Sequence, residues 1–114
     1  MSQAASQAAT FYREVAASGR VWTIRDAAGF PAPRNGSGIR SMPFWSSRSR
    51  AEKIIKTVPA YEGFEPFELT LQEFMDTWLI GLVKDQFQVG LNWSGALATG
   101  YDIEPTRVRQ ILAR

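Results

Sequence analysis

The strongest constraint on the fold is a helical stripe that is followed almost at once by an alternating strand. Thr70 and Glu73 form a capping box that begins a helix, and apolar residues then recur every three or four positions. They are Leu71, Phe74, Met75, Trp78, Leu79 and Leu82. Apolar residues next alternate with polar ones at Phe87, Val89, Leu91 and Trp93, which predicts a strand with one buried face. A chain that buries both must pack helices on a sheet.

The remaining periodicities predict three further helices and five shorter strands. Helices are expected over 4–18, from the paired serines to Val58, and from Pro105 onward. Strands are expected over 20–26, near 31–33, over 39–44, over 64–69 and near Leu97. The predicted class is α+β, a small and mostly antiparallel sheet with helices packed on one face. The predicted order is α-β-β-β-α-β-α-β-β-α.

Length and composition predict one α+β domain over residues 1–114. The first ten residues are rich in Ala, Ser and Gln, so residues 1–6 are expected to fray. They also lack the basic and apolar segments of a signal peptide, and no apolar run is long enough to span a membrane. We therefore expect a cytoplasmic protein that does not engage a membrane.

Cysteine and histidine are both absent from the sequence. Thiol catalysis, Ser-His-Asp triads and Cys/His zinc sites therefore cannot form. Histidine is also the usual acid–base group near neutral pH, so an enzyme of this composition would depend on carboxylates, Tyr, Ser or Lys. We predict that the protein is not an enzyme and that it uses neither a metal nor a cofactor.

The net charge of +2 conceals an uneven distribution. Residues 1–56 hold nine basic side chains against three acids, a net of +6, whereas residues 57–103 hold one Lys against seven acids, a net of −6. Such asymmetry either steers an anionic partner or lets two parts of one domain attract each other. The sequence leaves both interpretations open. The small overall charge does not favour nucleic-acid binding.

The junction between the strand over 39–44 and the next helix is the candidate site, formed by Trp45, Ser46, Ser47, Arg48 and Arg50. A helix N-terminus carries unpaired N–H groups and partial positive charge, so two arginines there suggest a bound anion. In the alternative interpretation, a serine caps the helix and the arginines pair with acids of the 57–103 region. Trp45, at the corner, is expected to stack on Arg48 or on a partner.

The segment Pro43-Phe44-Trp45-Ser46-Ser47, together with Val21–Asp26, Phe74 with Trp78-Leu79, and Gly90-Leu91-Asn92-Trp93, resembles a bacterial family of short uncharacterised proteins, classed as a domain of unknown function. The resemblance covers about residues 11–105. It implies a shared fold and a bacterial cytosolic origin, and it implies no activity. Family members often carry acids after the paired serines, where this chain has Arg48-Ser49-Arg50.

Two functions fit these observations. The first is a non-enzymatic protein-binding or adaptor domain that uses Trp45, Arg48 and Arg50 to hold an acidic protein partner or a second copy of itself. The second is a module that binds a small anion or phosphate-bearing ligand at the helix start, residues 46–50.

Overall fold

The structure is a computed structural model that describes residues 2–114. Its helices are α1 (Gln3–Ser18), α2 (Arg48–Thr57), α3 (Leu71–Glu73), α4 (Leu79–Lys84) and α5 (Pro105–Leu112). A π-helical turn at Phe74–Trp78 joins α3 to α4, and a 3-10 turn lies at Pro59–Tyr61. The strands are β1 (Arg20–Arg25), β2 (Ser41–Phe44), β3 (Glu65–Thr70), β4 (Gln88–Ser94) and β5 (Thr99–Ile103).

The α+β class and the order of elements confirm the sequence prediction. β1 pairs antiparallel with β3, and β4 pairs antiparallel with β5, while β2 pairs parallel with β4. The two sheets meet at one antiparallel bridge between Trp22 and Trp45, whose backbone hydrogen bonds measure 2.7 and 2.8 Å. The strand expected near 31–33 does not form, and only isolated bridge pairs flank it, Asp26 with Gly29 and Arg34 with Arg40. The strand expected near Leu97 begins later, at Thr99.

Helix boundaries follow the capping signals in the sequence. Gly19 ends α1 in the left-handed conformation (φ 69°) and donates its N–H to the carbonyl of Val15. The capping box at Thr70 and Glu73 is present in both directions, at 2.9 and 3.0 Å. The stripe that follows is buried at Phe74, Leu79 and Leu82, as its periodicity predicts.

Helices cover both faces of the strands, so the expectation of helices on one face is wrong. One core joins α1, α5 and the helix over 71–84 to residues such as Val21, Phe44 and Leu91. A second core lies on the opposite side, where α2 packs on Ile24, Trp45 and Trp93. The reason is that strand neighbours point to opposite faces, and β1 and the end of β2 carry apolar residues on both.

Trp93 belongs to the second core and not to the face of Val89 and Leu91, which corrects the simple alternation expected for this strand. The register of β4 against β5 shifts between Leu91 and Ser94, and Asn92 adopts a positive φ of 51°. Such a bulge reverses the side on which the following residues lie. The Trp93 ring therefore lies against Gly90, where a Cβ would be 2.3 Å from the indole.

Part of the charge asymmetry is satisfied inside the domain. Arg20 and Arg25 of β1 reach Glu68 and Glu65 of β3, with N–O distances of 3.9 and 3.0 Å. These side chains are about half exposed, so such pairs contribute little to the free energy of unfolding. No helix formed by residues 2–114 is both long enough and apolar enough to cross a bilayer.

Candidate functional site around the second helix

The predicted site residues converge where β2 ends and α2 begins. Ser47 is the N-cap of α2, and its Oγ accepts the N–H of Arg50 at 3.3 Å. Because that hydroxyl faces the backbone of the first turn, it satisfies one of the unpaired donors that an anion would otherwise take. Of Ser46, Ser47 and Ser49, each of which the sequence allows as the cap, the structure selects Ser47.

Trp45 is a core residue, and the prediction that its ring stacks on Arg48 is wrong. Only 1% of its surface is exposed, and its Nε1 donates to the carbonyl oxygen of Trp93 at 2.9 Å. The bridge to Trp22 fixes its backbone, which turns the side chain inward under α2. Arg48 instead lies over the Trp22 ring, 5.6 Å from its centroid.

Ser46 is buried in a polar network that links three elements. Its backbone N–H donates to Asn92 Oδ1 at 2.9 Å, and Asn92 Nδ2 donates to Ser46 Oγ at 2.9 Å. Ser46 Oγ in turn donates to Glu14 Oε1 of α1. The network satisfies polar groups that are costly to bury unpaired, so Ser46 holds the fold together and is not free for a ligand.

Arg50 is held by Glu14, not by an acid of the 57–103 region as the alternative interpretation expected. Its Nε and Nη2 donate to the two carboxylate oxygens, each at 3.0 Å. The bidentate bond from Arg50 is the main cause of a lowered pKa of the Glu14 carboxyl, and the bond from Ser46 lowers the pKa further. The other arginine, Arg48, lies 3.6 Å from Glu52 one turn along α2. Both arginines therefore pair within the basic half of the sequence.

Replacing Glu14 with glutamine should lower the free energy of unfolding by about 1 kcal/mol at pH 7. That value lies below the range of about 1.5 to 3 kcal/mol for a hydrogen bond to a charged group, because the side chains of Glu14 and Arg50 remain 34% and 43% exposed. A carboxylate whose pKa is lowered by folding stabilises the protein above its unfolded pKa. That stabilisation disappears as the pH falls through the lowered folded value.

Urea unfolding at pH 7 and near pH 3 measures this effect. The difference between wild type and Glu14→Gln should be present at pH 7 and shrink in acid. Glu62→Gln, at an exposed acid beyond the 3-10 turn, is the matched control. It should leave the free energy of unfolding unchanged at both pH values. An equal loss at both pH values would show that the ionic bond to Arg50 is not its source.

A cavity of about 370 Å³ opens beside this network, between α2 and the end of β4. Trp45, Ile54 and Trp93 form its apolar part, and Arg50 and Lys53 are its basic residues. A second and more open cavity lies on the other side of Arg50, where Glu14 and the serines line it. Arg50 and Lys53 border both cavities.

Four residues of this region were not predicted from the sequence: Glu14, Lys53, Asn92 and Trp93. Glu14 lies 36 positions before Arg50, and no local pattern connects them. Asn92 did leave a signal, because Asn is disfavoured inside strands and tolerates positive φ. Across residues 2–114, no group of three or more acids is placed to hold a metal ion.

Comparison with known proteins places the chain in a family without assigning it an activity. No curated protein matches the sequence. The model of a family described as proteins of unknown function (DUF2750) matches residues 8–112, which is most of the chain. The protein therefore belongs to the DUF2750 family.

Proposed function

We propose that this protein is a non-enzymatic binding domain that holds an acidic segment of a protein partner on the outer face of α2. The observation that supports the proposal is a group of exposed basic residues there, Arg48, Lys53 and Lys56, on a helix whose only acid is Glu52. No acid of residues 2–114 lies within ion-pair distance of Lys53 or Lys56. Lysine heads that stay solvated suit a charged partner, which they attract over long range.

A non-enzymatic role is supported by the lack of histidine and cysteine, which removes the imidazole acid–base group and the thiol nucleophile. A bacterial origin is part of the proposal and rests on the resemblance carried by Pro43–Ser47. A cytosolic location is also proposed, because a chain without cysteine needs no oxidising compartment. A second copy of the chain is an alternative acidic partner, since residues 57–103 carry a net charge of −6.

The other proposed function, a small anion held at residues 46–50, loses support at that position. Ser46 is bonded to Asn92 and Glu14, Ser47 caps the helix, and Arg50 grips Glu14. Both serine hydroxyls and both arginines already have protein partners. Anion binding therefore has better support in the neighbouring cavity than at the helix start.

Charge reversal on the outer face tests the binding proposal. The double variant Arg48→Glu and Lys56→Glu should weaken the binding of a labelled Asp/Glu-rich peptide at least tenfold, because two attractive charges become repulsive. The thermal midpoint should stay within about 3 °C, since exposed ion pairs contribute little to stability. Fluorescence anisotropy at low and at physiological salt measures the affinity.

The control is Lys84→Glu with Arg107→Glu, two exposed basic residues on α4 and α5. It changes the net charge equally but leaves α2 intact, so it should bind the peptide within about twofold of wild type at physiological salt. If both double variants lose the same affinity, the attraction comes from net charge alone and α2 is not the site. A wild-type protein that does not bind the peptide would also contradict the proposal.

A further inference from the structure

The cavity between α2 and the end of β4 has the composition of a ligand site. Its apolar side is made by Trp45, Ile54 and Trp93, which are 1%, 3% and 6% exposed. Among the described residues that line it, Arg50 and Lys53 are basic and none is acidic. Binding pockets typically combine such an apolar wall with a few convergent polar groups. The positive charge of Arg50 and Lys53 favours an anionic ligand.

The size of the cavity limits the ligand to a small molecule. Its 370 Å³ lies near the lower end of the range for ligand pockets. At roughly 30 Å³ for each water molecule in the liquid, the same space corresponds to about 12 non-hydrogen atoms. A molecule with one six-membered ring and a short acidic arm has this size, whereas a nucleotide does not.

Arg50 is positioned to bind an anion even though it already holds Glu14. A guanidinium has five N–H donors in a rigid fork, and Glu14 takes one from Nε and one from Nη2. Glu14 borders only the second cavity, whereas Arg50 borders both. The bond to Glu14 therefore fixes the guanidinium, and within residues 2–114 it leaves the Nη1 donors without a hydrogen-bond partner. A fixed donor loses less entropy on binding.

A polar donor completes the opposite side of the cavity. Ser94, at the end of β4, accepts a hydrogen bond from Gln7 Nε2, so its own hydroxyl proton is available for an acceptor on the ligand. Ser94 lines the same cavity as Arg50 and Lys53. The site thus offers an ammonium, a guanidinium and a hydroxyl around an apolar floor.

We propose that this cavity binds a small carboxylate with a single-ring apolar body, its carboxylate held by Arg50 and Lys53 and its ring packed on Trp45, Ile54 and Trp93. The indole surfaces favour an aromatic ring, which gains from edge-to-face and offset contacts. This site shares Lys53 with the outer face of α2, but its other residues are different, and it does not require the acidic protein partner proposed above.

Phenylacetate is the probe, and two related compounds separate its parts. Phenylacetamide keeps the ring without the charge, and acetate keeps the charge without the ring. Indole Nε1–H signals of Trp45 and Trp93, followed by NMR titration, report binding at the site itself. Wild type should bind phenylacetate with a Kd of about 1 mM or tighter. This affinity should be at least tenfold higher than the affinity for phenylacetamide or for acetate.

Two variants test the location. Lys53→Met keeps the aliphatic stem and removes the charge, and Ala96→Phe fills the cavity from an exposed position of the β4–β5 turn. Each should weaken the binding of phenylacetate at least tenfold. Arg48→Glu with Lys56→Glu should keep the phenylacetate affinity within about twofold of wild type, because those side chains do not line the cavity. Retained phenylacetate binding in that outer variant, together with lost peptide binding, separates the two sites.

Several outcomes would overturn the proposal. They are an equal affinity for phenylacetamide, unchanged binding in both cavity variants, competition by inorganic phosphate at equal strength, or no movement of the two indole signals at about 10 mM ligand. Because Ala96→Phe alters no buried residue and no charge, its result remains interpretable even if Lys53→Met folds poorly.

Discussion

Replacing Gly90 with alanine is expected to lower the free energy of unfolding by about 3 kcal/mol. A Cβ at this position would lie 2.3 Å from Trp93 Cε2 and 2.4 Å from Trp93 Nε1, closer than nonbonded atoms approach. The ring must therefore shift away from its packing in the second core, where Trp93 is only 6% exposed. Moving it also breaks the bond from Trp93 Nε1 to Asp102, now 3.1 Å, which adds about 1 kcal/mol to the loss.

Thermal unfolding provides the measurement, with an expected fall in Tm of about 10 to 15 °C. Gly81→Ala is the matched control, since a Cβ there meets nothing within 4 Å and the residue lies inside α4. Alanine in a helix interior is favoured over glycine by up to about 1 kcal/mol, so this variant should be slightly more stable. If Gly90→Ala unfolds at the wild-type temperature, the Trp93 ring does not lie on Gly90.

The close contact of Gly90 with Trp93 shows where sequence reasoning reached its limit. Alternation predicted correctly that β4 is a strand and that Trp93 is buried. It placed Trp93 on the face of Val89 and Leu91, because side chains of a regular strand share a face at every second position. The bulge at Asn92 breaks that rule, and only a hydrogen-bonded partner strand reveals where an extra residue is accommodated.

Local signals were the most successful predictors of the fold. The capping box at Thr70 and Glu73, the Gly19 cap and the helical stripe through Leu82 depend on residues at most four positions apart, and each appears where expected. The parallel pairing of β2 with β4 could not be predicted in this way. Those strands are separated by α2, β3 and the helix over 71–84, and their pairing depends on tertiary packing.

The candidate site was predicted in part for the same reason. The serines and arginines from Ser46 to Arg50 were found because capping and charge are local features. Their partners, Glu14 and Asn92, come from α1 and β4, and the acid expected to hold Arg50 was sought in the wrong half of the chain. Burial of Trp45 also depends on its bridge to Trp22, a contact between distant segments.

Asn92→Ala is expected to destabilise the protein by about 3 kcal/mol, because two separate losses add. The side chain of Asn92 accepts the Ser46 N–H and donates to Ser46 Oγ, both at 2.9 Å in a buried site. Leaving such groups unpaired costs about 1 to 3 kcal/mol. Alanine must also adopt the φ of 51° that Asn92 holds, which costs about 1 kcal/mol more than for Asn or Gly.

Asn92→Gly separates the two losses, since glycine accepts positive φ without strain but supplies no hydrogen bond. It should recover about 1 kcal/mol relative to alanine and remain about 2 kcal/mol less stable than wild type. Urea unfolding of the three proteins measures both differences under one set of conditions. If Asn92→Gly were as stable as wild type, the network from Asn92 through Ser46 to Glu14 would contribute nothing to the free energy of unfolding. The position of Arg50 would then not depend on that network.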